Sequence, residues 1–401
     1  MPLADVAETV SKRPGAVLIG GFVADGFQPV AEQFARNFSE LGDVGAAFAV
    51  VRHGETVVDL WAGIAAQARA WAEDTLQVVF SGTKGLTATC MLMLVDRGQL
   101  ELEKPVAHYW PEFAANGKER LLVRDIVSHH SGLPGITGRA LGIDDLADDR
   151  AMEALLAAQP QSPDPNAYRC YHALTIGWLC GGVLRRIDGR SLGRFFAEEV
   201  AGPLGLDIWI GLPEAQEPRV GTLQLASDWG PWDFGLTSEQ KADPTRRSIW
   251  ANPPLFPTEG LAWNRRPFHA CEMPGGGGIA TARSMARHYA CLANGGELDG
   301  VRLMRRETLD AGRRELNRFV DPFIGEAMAF GAAYSLQTEQ GRFGPPADAF
   351  GHSGAGGSIH CAWPSQGLGL SYVMNEMRAD PQDLRTRGML KALHSVVAES
   401  R

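Results

Sequence analysis

The chain has few cysteines, and none is spaced for a cross-link or a metal. Its six cysteines (Cys90, Cys170, Cys180, Cys271, Cys291 and Cys361) form no Cys-x-x-Cys pair and no Cys/His ligand spacing. That argues against a disulfide framework and a structural zinc, and leaves reduced, buried thiols as the expectation. No apolar run reaches membrane-spanning length. The N-terminal stretch MPLADVAETVSKRPG carries Asp5 and Glu8 and has no apolar core of a secretory leader, so a soluble, cytoplasmic protein is expected. Clusters of Lys and Arg are missing too: 47 acidic against 38 basic residues give a net charge of −9, which argues against nucleic acid as a partner. There is no internal repeat and no low-complexity segment. The run Gly275–Gly278 is too short for a linker and lacks the Lys-Ser/Thr ending of a phosphate loop.

What is present is a globular composition. With 401 residues, 45% of them apolar, the chain can build a large core. Residues 30–41 carry a helical pattern, and GAAFAVVRHGETVVDLWAG reads as two strands joined by a turn at His53-Gly54. Leu86 to Val95 is an apolar helix beginning near Ser81. Helical patterns and Pro/Gly-rich loops then dominate to about residue 280, including Ala173–Ile187 and Leu192–Val200. After a helix over 281–294, two β-like runs flank Pro364–Gly367, and a last helix spans 384–398. Strands at both ends with helices between predict an α/β (α+β) fold. Its antiparallel sheet is built from the N- and C-terminal parts (1–80 plus 281–401) and flanked by terminal helices, with a mainly helical lobe (81–280) inserted and the site at the interface.

The segment VVFSGTKGLT places Ser81 three residues before Lys84 at the start of that apolar helix. Residues i and i+3 share a helix face, so the amine can reach the hydroxyl, and an amine desolvated in a cleft can accept its proton. The bland alternative is a capping serine beside a surface lysine. Ser238 and Lys241 have the same spacing but lie in a polar stretch, TSEQKAD, and read as a solvated pair.

Three further segments accompany Ser81-Gly82-Thr83-Lys84 in order: SHHSGLPG (128–135), YHALTIGWLCGGVLRRIDGRSLGRFFAEEVAGPLGLD (171–207) and GHSGAGGS (351–358). Together they resemble the serine β-lactamase superfamily, in particular class C β-lactamases, penicillin-binding proteins and family VIII carboxylesterases, from about residue 45 to 376. The resemblance implies Ser81 as the acyl-accepting nucleophile, Lys84 as its partner and Tyr171 as the second-motif tyrosine, with Tyr168 in reserve. It places His352, Ser353 and Gly354 at the third, substrate-binding motif, and the backbone amides of Ser81 and Ala355 as the oxyanion hole. No metal and no cofactor are implied. Two departures stand out: Ala173 replaces the asparagine of a lactamase-type Tyr-x-Asn, and His352 replaces the lysine of Lys-Thr-Gly. Both favour ester over lactam cleavage.

The resemblance therefore implies a serine carboxylesterase acting on a small-molecule ester through an acyl-enzyme, with either Lys84 or Tyr171 as the base. An acyltransferase, a β-lactamase or D-amino peptidase, and a non-catalytic binding protein are the alternatives; Ser81, Lys84 and Tyr171 all in register speak against the last. His129 reads as structural and His130 as unassigned. GHSGAGG has a rival reading as a nucleophile elbow at Ser353, although Ala355 breaks G-x-S-x-G.

Overall fold

In the computed structural model, residues 17–227, 229, 237–256, 260–379 and 383–399 are described; the N-terminal stretch read against a secretory leader lies outside them. The expected hairpin forms first. Strands β2 (Gly45–Arg52) and β3 (Glu55–Ala66) pair antiparallel across His53-Gly54, whose φ values of 50° and 89° are both positive, as a two-residue turn matched to strand twist requires. β1 (Ile19–Val23) adds to the outer edge of β3, and helix α1 (Gln28–Ser39) follows it.

The chain then leaves this sheet. β4 (Gln77–Phe80) runs into α2 (Thr83–Asp96), and later come α3 (Thr175–Asp188), β5 (Ile208–Ile210), β6 (Gly278–Ala280) and α4 (Ala282–Ala293). β4 and β5 flank β6 in a separate three-stranded antiparallel sheet. The C-terminal part returns as β7 (Asn317–Val320), β8 (Ala327–Phe330), β9 (Ser335–Leu336), β10 (Phe350–Ser353), β11 (Ile359–Trp363) and β12 (Leu368–Met374), and closes with helix α5 (Leu384–Glu399).

The two ends meet where β12 pairs β2 in register from Leu368↔Arg52 to Met374↔Ala46. The order along the principal sheet is β1-β3-β2-β12-β11-β10-β9-β8-β7, with Arg69–Ala70 hydrogen-bonded to β3. Every residue of β12 is buried, as a strand covered on both faces must be. α4 packs on β12, β2 and β11, while α1 and α5 pack on each other. All six cysteines are free and buried. Among the described residues no helix is long and apolar enough to cross a membrane.

Candidate active site

Between β4 and α2 the backbone bends sharply, with Phe80 at φ 45°, a conformation unusual for a bulky residue. Thr83 holds the bend: its Oγ1 donates to Phe80 O at 2.5 Å and accepts the Gly278 N–H at 2.8 Å. Ser81 is thereby set on the turn that leads into α2. That helix is buried at every residue from Thr83 to Leu94, which is why it reads as apolar all round and why Lys84 is only 1% exposed.

Three oxygens surround the Lys84 amine. Nζ lies 2.9 Å from Ser81 Oγ, 2.6 Å from Ala173 O and 2.5 Å from Gly275 O. Carbonyls only accept, so a neutral amine spends its two N–H groups on Ala173 and Gly275 and turns its lone pair to the serine O–H. Burial lowers the Lys84 pKa well below the usual lysine range, which favours that neutral form.

Tyr171 faces the same hydroxyl. Burial raises its pKa, with the Ser81 hydroxyl partly offsetting the effect, so the side chain is a phenol at neutral pH. Lys84 Nζ sits 4.8 Å from its ring centroid, and the His129 ring stacks on it at 4.9 Å. The Tyr171 N–H donates to Asp321 Oδ2 at 2.6 Å, while Asp321 Oδ1 accepts from Phe323 and Ile324. His129 Nδ1 accepts the His172 N–H at 2.9 Å. Burial, then His172, lower the His129 pKa, so its ring is neutral. Tyr168 lies elsewhere: its hydroxyl donates to Ser162 O at 3.2 Å, and His130, exposed, contacts the Tyr168 carbonyl.

The third motif ends β10. His352 is buried, and its Nδ1 lies 3.0 Å from Ser353 O; a carbonyl fixes the proton on Nδ1, leaving Nε2 as an acceptor without a partner. Burial lowers the His352 pKa well below the ordinary histidine value, so no cation stands at this position. A Cβ on Gly354 would lie 2.4 Å from Val79 O, so only glycine lets this strand approach β4 closely enough to bring Ala355 beside Ser81. Among the described residues the Ser81 and Ala355 N–H groups have no acceptor within the protein, and both residues line one cavity. Ser353 ends a strand that turns into another strand, unlike a nucleophile elbow. Ser238 and Lys241 are exposed on the short helix Ser238–Ala242.

The cavity holds about 230 Å³ and brings together Ser81, Tyr171, Ala173, His352, Ser353, Gly354 and Ala355. Phe80, Trp250, Phe256 and Trp263 give its lining an aromatic part, and Glu326 and Arg342 add charged groups. Arg342 Nη1 donates to Ser353 Oγ at 3.2 Å, and its guanidinium is ion-paired with Glu326. The sequence reading missed Gly275, Asp321, Glu326 and Arg342. Of these only the glycine run carries a signal in the sequence, and a run too short for a linker and without the ending of a phosphate loop does not reveal its close approach to a lysine.

A family model described as Beta-lactamase matches residues 34–394. Esterase/beta-lactamase LipL of Mycobacterium tuberculosis is 37% identical over 357 residues, covering 88% of this chain and 81% of that protein. Esterase EstB of Burkholderia gladioli is 30% identical over 356 residues, covering 82% and 85%. The solved structure of a family VIII carboxylesterase superimposes with a TM-score of 0.85 at 36% identity, covering 94% of this chain and 99% of that one.

Proposed function

Because the chain belongs to the beta-lactamase family and is a serine ester hydrolase within it, we propose a two-step acyl transfer with Ser81 as nucleophile, Lys84 as base and Tyr171 as acid. Ser81 Oγ attacks the ester carbonyl as its proton passes to the lone pair of neutral Lys84. The tetrahedral oxyanion is held by the Ser81 and Ala355 N–H groups. As the C–O bond to the alcohol breaks, the Tyr171 phenol protonates the alkoxide and regains a proton from the Lys84 ammonium. Water then attacks the acyl-enzyme by the same steps in reverse order, releasing the acid.

One observation carries this reading: the Lys84 amine is enclosed by the Ser81 hydroxyl and two carbonyls, an arrangement with no structural purpose that a buried leucine would not serve better. A fluorophosphonate probe should label Ser81 stoichiometrically, and Ser81→Ala should abolish hydrolysis of short-chain p-nitrophenyl esters while Ser353→Ala and Ser238→Ala retain most of it. Turnover by the Ser81 variant near that of the wild type would sink the assignment.

The reading favours small esters over lactams. A cavity of about 230 Å³ falls below the ~300–1,000 Å³ of common ligand clefts. Ala173 offers a carbonyl to Lys84 but no side-chain amide, and His352 is neutral. We expect kcat/KM for p-nitrophenyl butyrate to exceed that for nitrocefin by at least about a hundredfold, roughly 3 kcal/mol at the transition state; comparable values would overturn the preference. The reading also takes the division into a sheet lobe (1–80 with 281–401) and a helical lobe (81–280), and a cytoplasmic location, supported by six free buried thiols.

A further inference from the structure

Ala355 sits in a turn with little stiffness of its own. Residues 354–358 join β10 to β11, and three of the five are glycine, with Gly356 and Gly357 at φ 86° and 119°. Glycine has the widest choice of backbone conformations, so the direction of the Ala355 N–H depends on what holds the residues on either side of it. Before it, Gly354 is pressed against Val79, and its N–H donates to Ser358 O at 2.9 Å. After it, two carbonyls are captured by the start of α5 and the segment that precedes it. Gly356 O accepts from Arg385 Nη2 and from the Arg378 N–H, each at 3.1 Å, and Gly357 O accepts from Thr386 Oγ1 at 2.5 Å. A Cβ on Gly357 would lie 2.4 Å from Asp383 Oδ2, so the turn and the start of the helix are in direct contact.

Arg385 is the centre of this hold. Its side chain is wholly buried, which a guanidinium tolerates only when its N–H groups are met. All of them are: Nε and one Nη2 N–H by Asp383, the two on Nη1 by Asp43 Oδ1 at 3.0 Å and Glu376 O at 3.1 Å, and the other on Nη2 by Gly356 O. Asp43 precedes β2 and Glu376 follows β12, so the guanidinium ties the turn to the middle of the principal sheet. Resting on the reading of Ser81 and Ala355 as the oxyanion hole, we propose that Arg385, together with Thr386, is a positioning residue for that hole. The two hold Gly356 and Gly357 so that the Ala355 N–H stays aimed at the reacting carbonyl. A staple joining α5 to the sheet would need Asp43 and Asp383 but no bond to the turn. Donors set in advance toward a developing charge stabilise it without reorganising at the moment of reaction, and a displacement on the order of 1 Å costs about a hundredfold.

Thr386→Val removes one hydroxyl at nearly constant volume. It should lower kcat for p-nitrophenyl butyrate about tenfold, while KM and the pH dependence set by Lys84 stay as in the wild type, and Thr386→Ser should keep most of the activity. Arg385→Lys, which cannot fork to the same acceptors, should lose about a hundredfold or more in kcat. Tyr372→Phe supplies the contrast: its hydroxyl donates to Asp43 in the same buried network without reaching the turn, so its melting temperature should fall and its kcat hold. Wild-type kcat in Thr386→Val, a loss that appears in KM or shifts the pH dependence, an equal loss in Thr386→Ser, or an equal loss in Tyr372→Phe each overturns the proposal. Should Arg385→Lys not fold, the two threonine variants decide. Ala355→Pro, which lacks the N–H, separates the two readings. Turnover at the wild-type rate would mean that the oxyanion-hole assignment is wrong, whereas an inactive Ala355→Pro beside an unimpaired Thr386→Val refutes the positioning alone.

Discussion

Lys84 enters the core with 1% of its surface exposed and no carboxylate among its hydrogen-bond partners. Burial therefore sets its chemistry. A lysine pKa lowered by burial means that the active, neutral amine forms as pH rises through the lowered value and persists above it. Tyr171 has the opposite requirement: it must stay protonated, and burial raises its pKa. The kcat/KM profile should accordingly show a rising limb and no falling limb below about pH 10, where a free tyrosine would titrate. A bell centred near neutrality would contradict these assignments. Lys84→Ala and Tyr171→Phe should each lower kcat about a hundredfold or more, and the double variant should lose little further, because the two groups hand one proton between them. Tyr168→Phe, its hydroxyl spent on Ser162 O, should matter far less.

At the scale of elements, the site depends on backbone carbonyls placed by close packing. Lys84 needs Gly275 O, and Gly275 is pressed against α3: a Cβ on Gly177 would lie 1.9 Å from Gly275 N, and one on Gly275 would lie 2.4 Å from Leu174 O. Thr87 Oγ1 donates to Pro274 O at 2.8 Å and Thr83 Oγ1 accepts from Gly278, so α2 grips both ends of the glycine run. Gly177→Ala must push this run off α3 and away from the lysine. Both kcat and the melting temperature should fall, with kcat reduced at least about tenfold; an active, equally stable variant would show that the contact is dispensable. The glycines were visible in the sequence but their purpose was not, because the partner surface comes from a helix about a hundred residues earlier.

Five of the buried histidines among the described residues are held uncharged by their burial. His129 and His352 have pKa values lowered well below the ordinary range, His172 is lowered to about 4, and His288 and His360 to about 3, each chiefly by burial. As pH falls through 6.5 the unfolded chain takes up protons at these five positions that the folded chain refuses, so ν_U exceeds ν_N and stability drops. Carboxylates raised by burial, such as Asp321 and Glu272, act in the opposite sense from their unfolded values near 4 upward to their raised folded values, and so offset part of this slope. Urea unfolding should thus give a free energy that decreases from pH 7 to pH 5.5 with a slope of more than one proton. A flat profile would mean that these rings are charged or solvated in the folded state.

The sequence by itself determined the local elements and the kind of chemistry. Periodicity and turn residues located the β2–β3 hairpin, the apolar helix α2 and the closing helix α5, and the three-residue spacing of Ser81 and Lys84 at the turn into α2 puts the amine within reach of the hydroxyl. Only the tertiary structure decided what surrounds them. The pairing of β12 with β2 joins residues more than 300 positions apart, and no local pattern encodes such a register. The neutral lysine arises from burial among segments distant in the chain, its N–H groups met by the Ala173 and Gly275 carbonyls, and the anchored Tyr171 from Asp321. A protonation state belongs to an environment, and environments are assembled by packing, so a residue's role could be read from the chain while its pKa and its partners could not.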